Sequence, residues 1–233
     1  MKFNYLNKLK WNNNFQYIIK KAIVLGASRG IGKSISDSLK KLDLDVLSLS
    51  SNDIDTSNLD SVNKFADENN STDILVLNTG GPPIIEFEKI SKEDWDKYHN
   101  QLFVGFCTLL QKIKINDGGY IFAITSNVIK EPNSKLIISS AYRAAFSSVF
   151  KILSKEFAKR DVSLINIAPG PINTDRTKEL VGDVGAYVDS LPMKRLGEPK
   201  EIGNFVGSIV EKEIKYLSGT VINFDGSNSN FIF

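Results

Sequence analysis

The chain has 233 residues, a net charge of +2, 42% hydrophobic residues and 24% charged residues. This length predicts one domain with a sizeable core, and the small net charge gives no reason to expect a nucleic-acid partner. The single Cys107 excludes an internal disulfide and fits a reducing compartment, so we expect a cytoplasmic protein. No run of about 18 apolar residues is seen, so we expect no membrane span, and we expect no metal site.

The charges near the start of the chain are uneven, because several lysines precede the first acidic residue, Asp37. Residues 1–20 are rich in Asn and Lys and carry Trp11, Phe15 and Tyr17. We interpret them as an N-terminal extension that precedes a domain at 21–233. A basic arm for a polyanion and a transit-like segment are the alternatives to a solvated tail.

A glycine-containing loop follows the first apolar run, and the rest of the chain is interpreted around it. Residues 22–25 read as a buried strand, and apolar residues at helical intervals predict a helix over 31–42. Between them lie Gly26, Gly30 and Gly32. Strand, glycine loop and helix form a cradle for a phosphate, because the glycines admit close backbone approach and the helix directs amide groups at the anion.

Six further short apolar runs predict six more strands, at 46–49, 54–56, 73–77, 120–124, 162–167 and within 218–226. Helices are predicted to begin near 57 and to span 91–114 and 138–160, with another after Arg195. A turn is expected at 117–119. Residues 175–195 look like a substrate-covering segment with Gly182 and Gly185 as hinges.

The motifs together resemble the short-chain dehydrogenase/reductase family, over about residues 21–226. The glycine spacing is Gly-x-x-x-Gly-x-Gly, with Leu25 where a Thr is usual, and Asn78-Thr-Gly-Gly and Pro169-Gly-Pro-Ile-Asn-Thr follow in family order. The resemblance implies a single Rossmann-type domain. Its seven-stranded, mostly parallel, doubly wound sheet would carry helices on both faces. The subgroup that the chain most resembles is the 3-oxoacyl-carrier-protein-reductase-like one.

This resemblance also implies a nicotinamide dinucleotide cofactor. The residues that it places on the cofactor are Gly26, Ser28, Arg29, Gly30, Ile31, Gly32, Ser50, Ser51, Asp55, Asn78, Thr79, Gly80, Arg143, Pro169, Gly170, Ile172 and Thr174.

The loop after the second strand bears on the choice of cofactor. An acid there would bind the adenosine ribose and repel a 2′-phosphate, but residues 50–52 are Ser-Ser-Asn. Arg29 can pair with a 2′-phosphate, so we favour NADP, with NAD as the alternative. Arg29 as a solvent-facing charge is the other interpretation. Asp55 is expected beside the adenine, and equally as an N-cap for the next helix.

The catalytic positions depart from the resembled family. Counting from Ser126, the family's Tyr position holds Ser139 and its Lys position holds Arg143. A serine hydroxyl is a poor proton donor at pH 7. Arg143 stays charged and can hold ribose hydroxyls, but it cannot give up a proton at working pH.

Tyr142 is the nearest phenol, three residues after Ser139, and a packing role for it is the alternative to a catalytic one. His99, the only histidine, is expected at an edge rather than in catalysis. Leu102 stands seven residues after Trp95, where the family places an Asn.

We therefore predict an NAD(P)-dependent oxidoreductase that interconverts a ketone, possibly of 3-oxoacyl type, and its alcohol by hydride transfer. The alternative is a catalytically inactive dinucleotide-binding protein with a regulatory or scaffold role. The partners implied are a small carbonyl or alcohol substrate and further copies of the chain, as a tetramer or a dimer.

Overall fold

Six parallel strands form one sheet in the computed structural model, which describes residues 19–232. The order across the sheet is β2-β1-β3-β4-β5-β6. The strands are β1 (Lys21–Val24), β2 (Asp45–Ser48), β3 (Ser71–Leu77), β4 (Lys114–Ile124), β5 (Ser163–Pro169) and β6 (Thr220–Phe224). The order reverses between β1 and β3, and ligands of such sheets bind at the carboxyl ends of the strands beside this reversal.

Helices cover both faces of the sheet. They are α1 (Gly30–Lys40), α2 (Leu59–Glu68), α3 (Lys92–His99), α4 (Gly105–Lys112), α5 (Ile137–Ala158), α6 (Asp175–Val181), α7 (Val184–Ser190) and α8 (Pro199–Glu211). Helices α1 and α8 pack on one face, and α2, α4 and α5 pack on the other. Alternate residues of β3 enter the two cores, as Val76 and Leu77 do, so the strand is apolar throughout. The predicted fold class is confirmed.

The strand count is six where seven were predicted. Residues 54–56 form no strand; the chain folds instead into tight turns in which the amides of Asp53 and Ile54 donate to the Ser50 carbonyl, each at 3.2 Å. The segment between β2 and α2 is too short for another crossover. Thr56 nevertheless lies in the core, and its carbonyl would be 2.6 Å from a Cβ on Gly105.

Two further predictions differ from the structure. The turn at 117–119 lies inside β4, where Gly118 adopts a φ of +75° and the pairing with β3 shifts register. The helix predicted over 91–114 is interrupted by one π-helical turn at Asn100–Val104, between α3 and α4. A register change of this kind redirects the side chains that follow it.

The segment at 175–195 folds as the two short helices α6 and α7. Gly182 joins them with a φ of +70°, as a hinge residue could, whereas Gly185 lies within α7. Of the helices in the described segment, none combines the length and apolarity needed to span a lipid bilayer. The predicted extension lies outside the described residues, apart from its last two.

Candidate functional site

The glycine loop between β1 and α1 is closed against Asn78, the residue that follows β3. The Asn78 amide donates to the carbonyls of Leu25 at 3.3 Å and of Gly26 at 3.2 Å. A Cβ on Gly32 would lie 2.1 Å from the Gly26 oxygen and 2.6 Å from the Asn78 amide nitrogen. Because no side chain fits there, helix α1 can approach the strand end closely.

Helix α1 begins without a capping side chain. Its N-cap is Arg29, which makes no side-chain cap, and its first turn holds no acidic residue. Gly30 has a φ of +56°, and a Cβ on it would meet the Thr174 methyl at 3.2 Å. The free amides of the first turn and the Thr174 loop therefore face each other across a space suited to a phosphate.

The loop after β5 forms the opposite wall. Gly170 donates to the Phe224 carbonyl at 3.1 Å, which ties the loop from Pro169 to β6. Ile172 is buried and accepts from the Thr174 amide at 2.8 Å. The Thr174 hydroxyl caps α6 by accepting from the Thr177 amide at 3.3 Å. The predicted residues thus form one ordered turn beside Gly30.

The adenosine end is more acidic than its sequence neighbourhood suggested. The Asp53 carboxylate accepts from the amide of Ser50 at 2.7 Å and from its hydroxyl at 2.6 Å, and these bonds lower the pKa of Asp53. Arg29 is exposed and pairs with Asp175 at 3.3 Å. The glycine loop and the loop after β2 are joined by a hydrogen bond from the Ala27 amide to the Leu49 carbonyl at 2.7 Å.

The Asp55 side chain stabilises the turn between Asp55 and Ser57. Its carboxylate accepts from the amide of Ser57 at 2.9 Å and from the Ser57 hydroxyl at 2.8 Å. The N-cap of α2 is Asn58, whose side chain accepts from the amides of Asp60 and Ser61. The capping role weighed for Asp55 is therefore wrong, whereas its place beside the adenine stays a prediction. Ser28 and Ser51 are exposed at the same end.

Arg143 is buried at the carboxyl ends of β3 and β4, with 6% of its surface exposed. Its guanidinium donates to the Ile124 carbonyl at 3.0 Å, to the Thr79 carbonyl at 3.4 Å and to the Ser139 hydroxyl at 3.2 Å. Burial and, secondly, the nearby Arg176 lower the pKa of Arg143 to about 10, so the group stays charged at neutral pH.

Ser139 and Ser126 present hydroxyls at this end of the site. Ser139 is buried and accepts from Arg143 through Oγ, so the proton of the Ser139 hydroxyl points elsewhere. Ser126 follows β4, is half-buried and accepts from the Val128 amide at 3.4 Å.

Tyr142 packs toward α3. Its ring lies edge-on to Trp95, with centroids 5.7 Å apart, and 5.2 Å from the ring of His99. Burial and, secondly, the Asp96 carboxylate raise the pKa of Tyr142. The phenol is therefore a weaker acid than a free tyrosine, and it lacks the adjacent cation that would make it stronger. His99 stacks on Phe103, with centroids 5.5 Å apart.

Gln101 is a site residue that sequence reasoning missed. It lies in the π-helical turn, and its amide donates to the Gly80 carbonyl at 2.9 Å and to the Thr79 hydroxyl at 3.2 Å. Leu102, the position matched to the family's Asn, is buried in an apolar cluster instead. Regular α-helical spacing from Trp95 leads to Leu102, and the π-helical turn that brings Gln101 to the site instead leaves no signal in the sequence that we used.

A buried polar chain fixes the backbone of Arg143. The Thr125 hydroxyl donates to the Asn166 side-chain oxygen at 2.6 Å, and the Asn166 amide donates to the Ser147 hydroxyl at 3.0 Å. Ser147 in turn donates to the Arg143 carbonyl at 2.7 Å. This chain links β4, β5 and α5, so the guanidinium sits on a rigid support.

These features fit a nicotinamide dinucleotide. The glycine turn leaves no room for a Cβ at Gly32, and the first amides of α1 are uncapped. A Cβ placed on Gly80 would have no described atom within 4 Å, so the space beside Gly80 is open. The diphosphate would therefore be held at Gly30 and Thr174, and the nicotinamide ribose at Arg143.

Comparisons with known proteins agree with this geometry. The family described as Enoyl-(Acyl carrier protein) reductase matches residues 53–227. Nodulation protein G of Azospirillum brasilense is 33% identical over 160 residues, covering 66% of this chain and 65% of that relative. The 3-oxoacyl-acyl-carrier-protein reductase FabG of Vibrio cholerae is 26% identical over 234 residues, covering 89% of this chain and 96% of the relative.

A solved structure shares the fold over nearly the whole domain. It is a short-chain dehydrogenase from Burkholderia cenocepacia in complex with NADP, with a TM-score of 0.79 and 20% identity. The match covers 89% of this chain and 96% of that one.

Proposed function

Because the chain belongs to the short-chain dehydrogenase/reductase family of NAD(P)-dependent oxidoreductases, we propose that it uses NADP(H) to interconvert a ketone and its alcohol. The 3-oxoacyl reductase relative and the NADP-bound neighbour support this substrate class and this cofactor. When held at Gly30, Thr174 and Arg143, the cofactor would supply hydride-transfer chemistry in either direction.

The residues at the two ends of the site have separate tasks. The amides after Gly30 and the Thr174 hydroxyl bind the diphosphate. Arg29, which is exposed, would exchange its ion pair with Asp175 for the 2′-phosphate of the adenosine ribose. The Asp53 carboxylate beside Ser50 would weaken the resulting preference for NADP(H). Arg143 holds the nicotinamide ribose hydroxyls through its planar fork.

Proton transfer is assigned to the serine hydroxyls and water. Ser126 and Ser139 orient the substrate carbonyl, and the charge of Arg143 stabilises the oxyanion as it forms. One of the two hydroxyls would then give its proton to this oxygen and regain one from a solvent hydronium or a buffer acid, so that one solvent proton is consumed per ketone reduced. Tyr142, which packs against α3, would need to leave Trp95 and His99 to serve as the acid.

One observation carries the proposal: the buried Arg143 guanidinium bonds the Ser139 hydroxyl and the last carbonyl of β4. This pair of a cation and a hydroxyl supports our assignment of Arg143 and Ser139 to the positions of the family's lysine and tyrosine. A charge so placed costs free energy to bury and is explained by a ligand that needs it.

The test follows NADPH oxidation by the purified chain across a panel of ketones, aldehydes and quinones. We expect turnover with at least one ketone, and loss of that turnover in Arg143→Gln. No oxidation above the buffer blank for any carbonyl compound would overturn the proposal.

A second function is favoured by the packing of Tyr142 toward α3, because this phenol then does not replace the tyrosine that is missing at Ser139. The protein would then bind the dinucleotide without turnover and act as a regulator or scaffold. Micromolar binding of NADPH, followed by fluorescence, with no oxidation of any substrate would select this alternative.

We further propose that the protein acts as a homo-oligomer, tetramer or dimer, in the cytoplasm. Ile152 on α5 supports an interface, because 69% of its surface is exposed beside Val221 of β6. Light scattering on the eluted protein should give at least twice the chain mass, and a monomer at micromolar concentration would contradict it.

A further inference from the structure

Two arginines reach the same loop after β3. Arg143 donates to the carbonyl of Thr79 at 3.4 Å, and Arg176 of α6 donates to the carbonyl of Pro82. The Arg176 guanidinium lies over Gly81, where a Cβ would be 3.7 Å from its Nε. Arg176 also contributes, after burial, to the lowered pKa of Arg143, so the two charges interact. Both cations therefore bind the loop at residues 79–82.

The acceptors of Arg143 are neutral. They are one hydroxyl and two backbone carbonyls, and they take three of the five N–H donors of the guanidinium. A buried cation that has only neutral acceptors keeps most of its desolvation cost. An anion at the remaining donors would offset that cost.

Arg176 is only partly neutralised. Its side chain is one-third exposed, and it pairs with Glu179 at 3.4 Å, but 60% of the Glu179 side chain is exposed to solvent. Such a pair is weak in water. The positive charge of Arg176 beside Gly81 is therefore only weakly compensated.

The phosphates of the cofactor are expected elsewhere. The diphosphate site is formed by Gly30 and Thr174, at the end of β1, and the group assigned to Arg143 is a neutral ribose. Bound NADP(H) would then place no phosphate on Arg143, and the only carboxylate paired with Arg176 among the described residues would be the exposed Glu179.

We propose that Arg143 and Arg176 together bind a carboxylate or phosphate group of the substrate. The preferred substrate is then a small acidic ketone, such as a keto acid, rather than a neutral 3-oxoacyl thioester. This inference rests on the proposed function, because it names the substrate class of the same site.

The test compares acetoacetate with its methyl ester, both with NADPH. We expect kcat/KM for the acid to exceed that for the ester by about tenfold or more, the size of one or two charge-assisted hydrogen bonds. Arg176→Gln should lower the value for the acid to that of the ester and leave the ester unchanged. Arg160→Gln, an arginine of similar exposure beside Asp117 at the other end of β4, is the matched control.

A binding measurement separates this inference from the proposed function. Malonate, titrated by calorimetry into protein saturated with NADP⁺, should bind the wild type and Arg160→Gln but not Arg176→Gln. Equal use of acid and ester would overturn the inference and leave the reductase in place. If neither ketone is reduced, malonate binding that Arg176→Gln abolishes supports the anion site, and its absence overturns the site.

Discussion

The Nε of Arg143 donates to the hydroxyl of Ser139 at 3.2 Å, one helical turn earlier on α5. Counted from Ser126, these two positions are the ones that we expect to correspond to the lysine and the tyrosine of the family. The pair keeps a cation and a hydroxyl in contact, but the hydroxyl belongs to a serine, which is a much weaker acid than a tyrosine phenol. The chemistry of the site therefore depends on the charge of Arg143.

The pH profile tests this dependence. Raising the pH removes the proton that gives Arg143 its charge, so kcat/KM should be flat from pH 7 to 9 and fall near the pKa of about 10. In Arg143→Lys the fall should move to lower pH, because lysine starts from about 10.4 and burial lowers it further.

The matched control is Tyr142→Phe, which should keep the wild-type profile. A pH dependence that disappears in Tyr142→Phe would assign the titrating group to the phenol instead of the guanidinium.

Ser139→Ala removes the hydroxyl that accepts from Arg143. We expect kcat to fall about tenfold to a hundredfold, the size of a hydrogen bond to a charged group, with a smaller change in KM. Steady-state kinetics of NADPH oxidation measure this. Tyr142→Phe should stay within about twofold, since its ring contacts with Trp95 and His99 persist. The reverse ranking would make Tyr142 the proton donor.

Gln101→Leu removes the amide that binds the Gly80 carbonyl and the Thr79 hydroxyl. The loop after β3 should then hold the nicotinamide end less firmly, and KM for NADPH should rise about fivefold or more, because each of the two lost neutral hydrogen bonds contributes about 1 kcal/mol. Gln111→Leu, on the exposed side of α4, is the comparison. Identical kinetics for the two variants would remove Gln101 from the site.

The choice between NADPH and NADH should respond to Arg29 and Asp53 in opposite directions. Arg29→Ala should weaken NADPH binding by about fivefold and leave NADH unchanged, because an exposed charge pair contributes modestly. Asp53→Asn should strengthen NADPH binding, since it removes a negative charge beside Ser50. Fluorescence titration with both cofactors reports the ratio, and an unchanged ratio in both variants would place the 2′-phosphate elsewhere.

Gly32→Ala tests the closure of the glycine loop. A Cβ 2.1 Å from the Gly26 oxygen must push α1 away from β1, at a cost of about 2 kcal/mol or more in the free energy of unfolding. Urea denaturation measures this loss. Gly80→Ala is the control for stability, because a Cβ there has nothing within 4 Å. Equal stability of the two variants would contradict the close packing described.

Features of the fold that depend on neighbouring residues could be predicted from the sequence. The Gly26, Gly30 and Gly32 spacing and the buried strands each depend on a few neighbouring residues, and each is found in the structure. The predicted third strand failed because whether residues 54–56 pair depends on the length of the connection to β2, not on their own propensity.

The parts of the site that escaped prediction are brought together by tertiary structure. Gln101 points to Thr79 only because the helix makes a π turn, and Asp53 reaches Ser50 only because the chain turns back on itself. Arg176 lies 33 residues from Arg143 in the sequence, and packing of α6 beside the β3 loop brings their charges into range. No spacing in the chain encodes these approaches.

The central claim is that one dinucleotide spans Gly30 and Arg143. Calorimetric titration of NADPH into the folded protein tests it most directly. The account predicts one site per chain with a dissociation constant in the micromolar range, about tenfold or more weaker in Arg143→Gln. Absence of binding by the wild type, or an affinity that Arg143→Gln leaves unchanged, would contradict it.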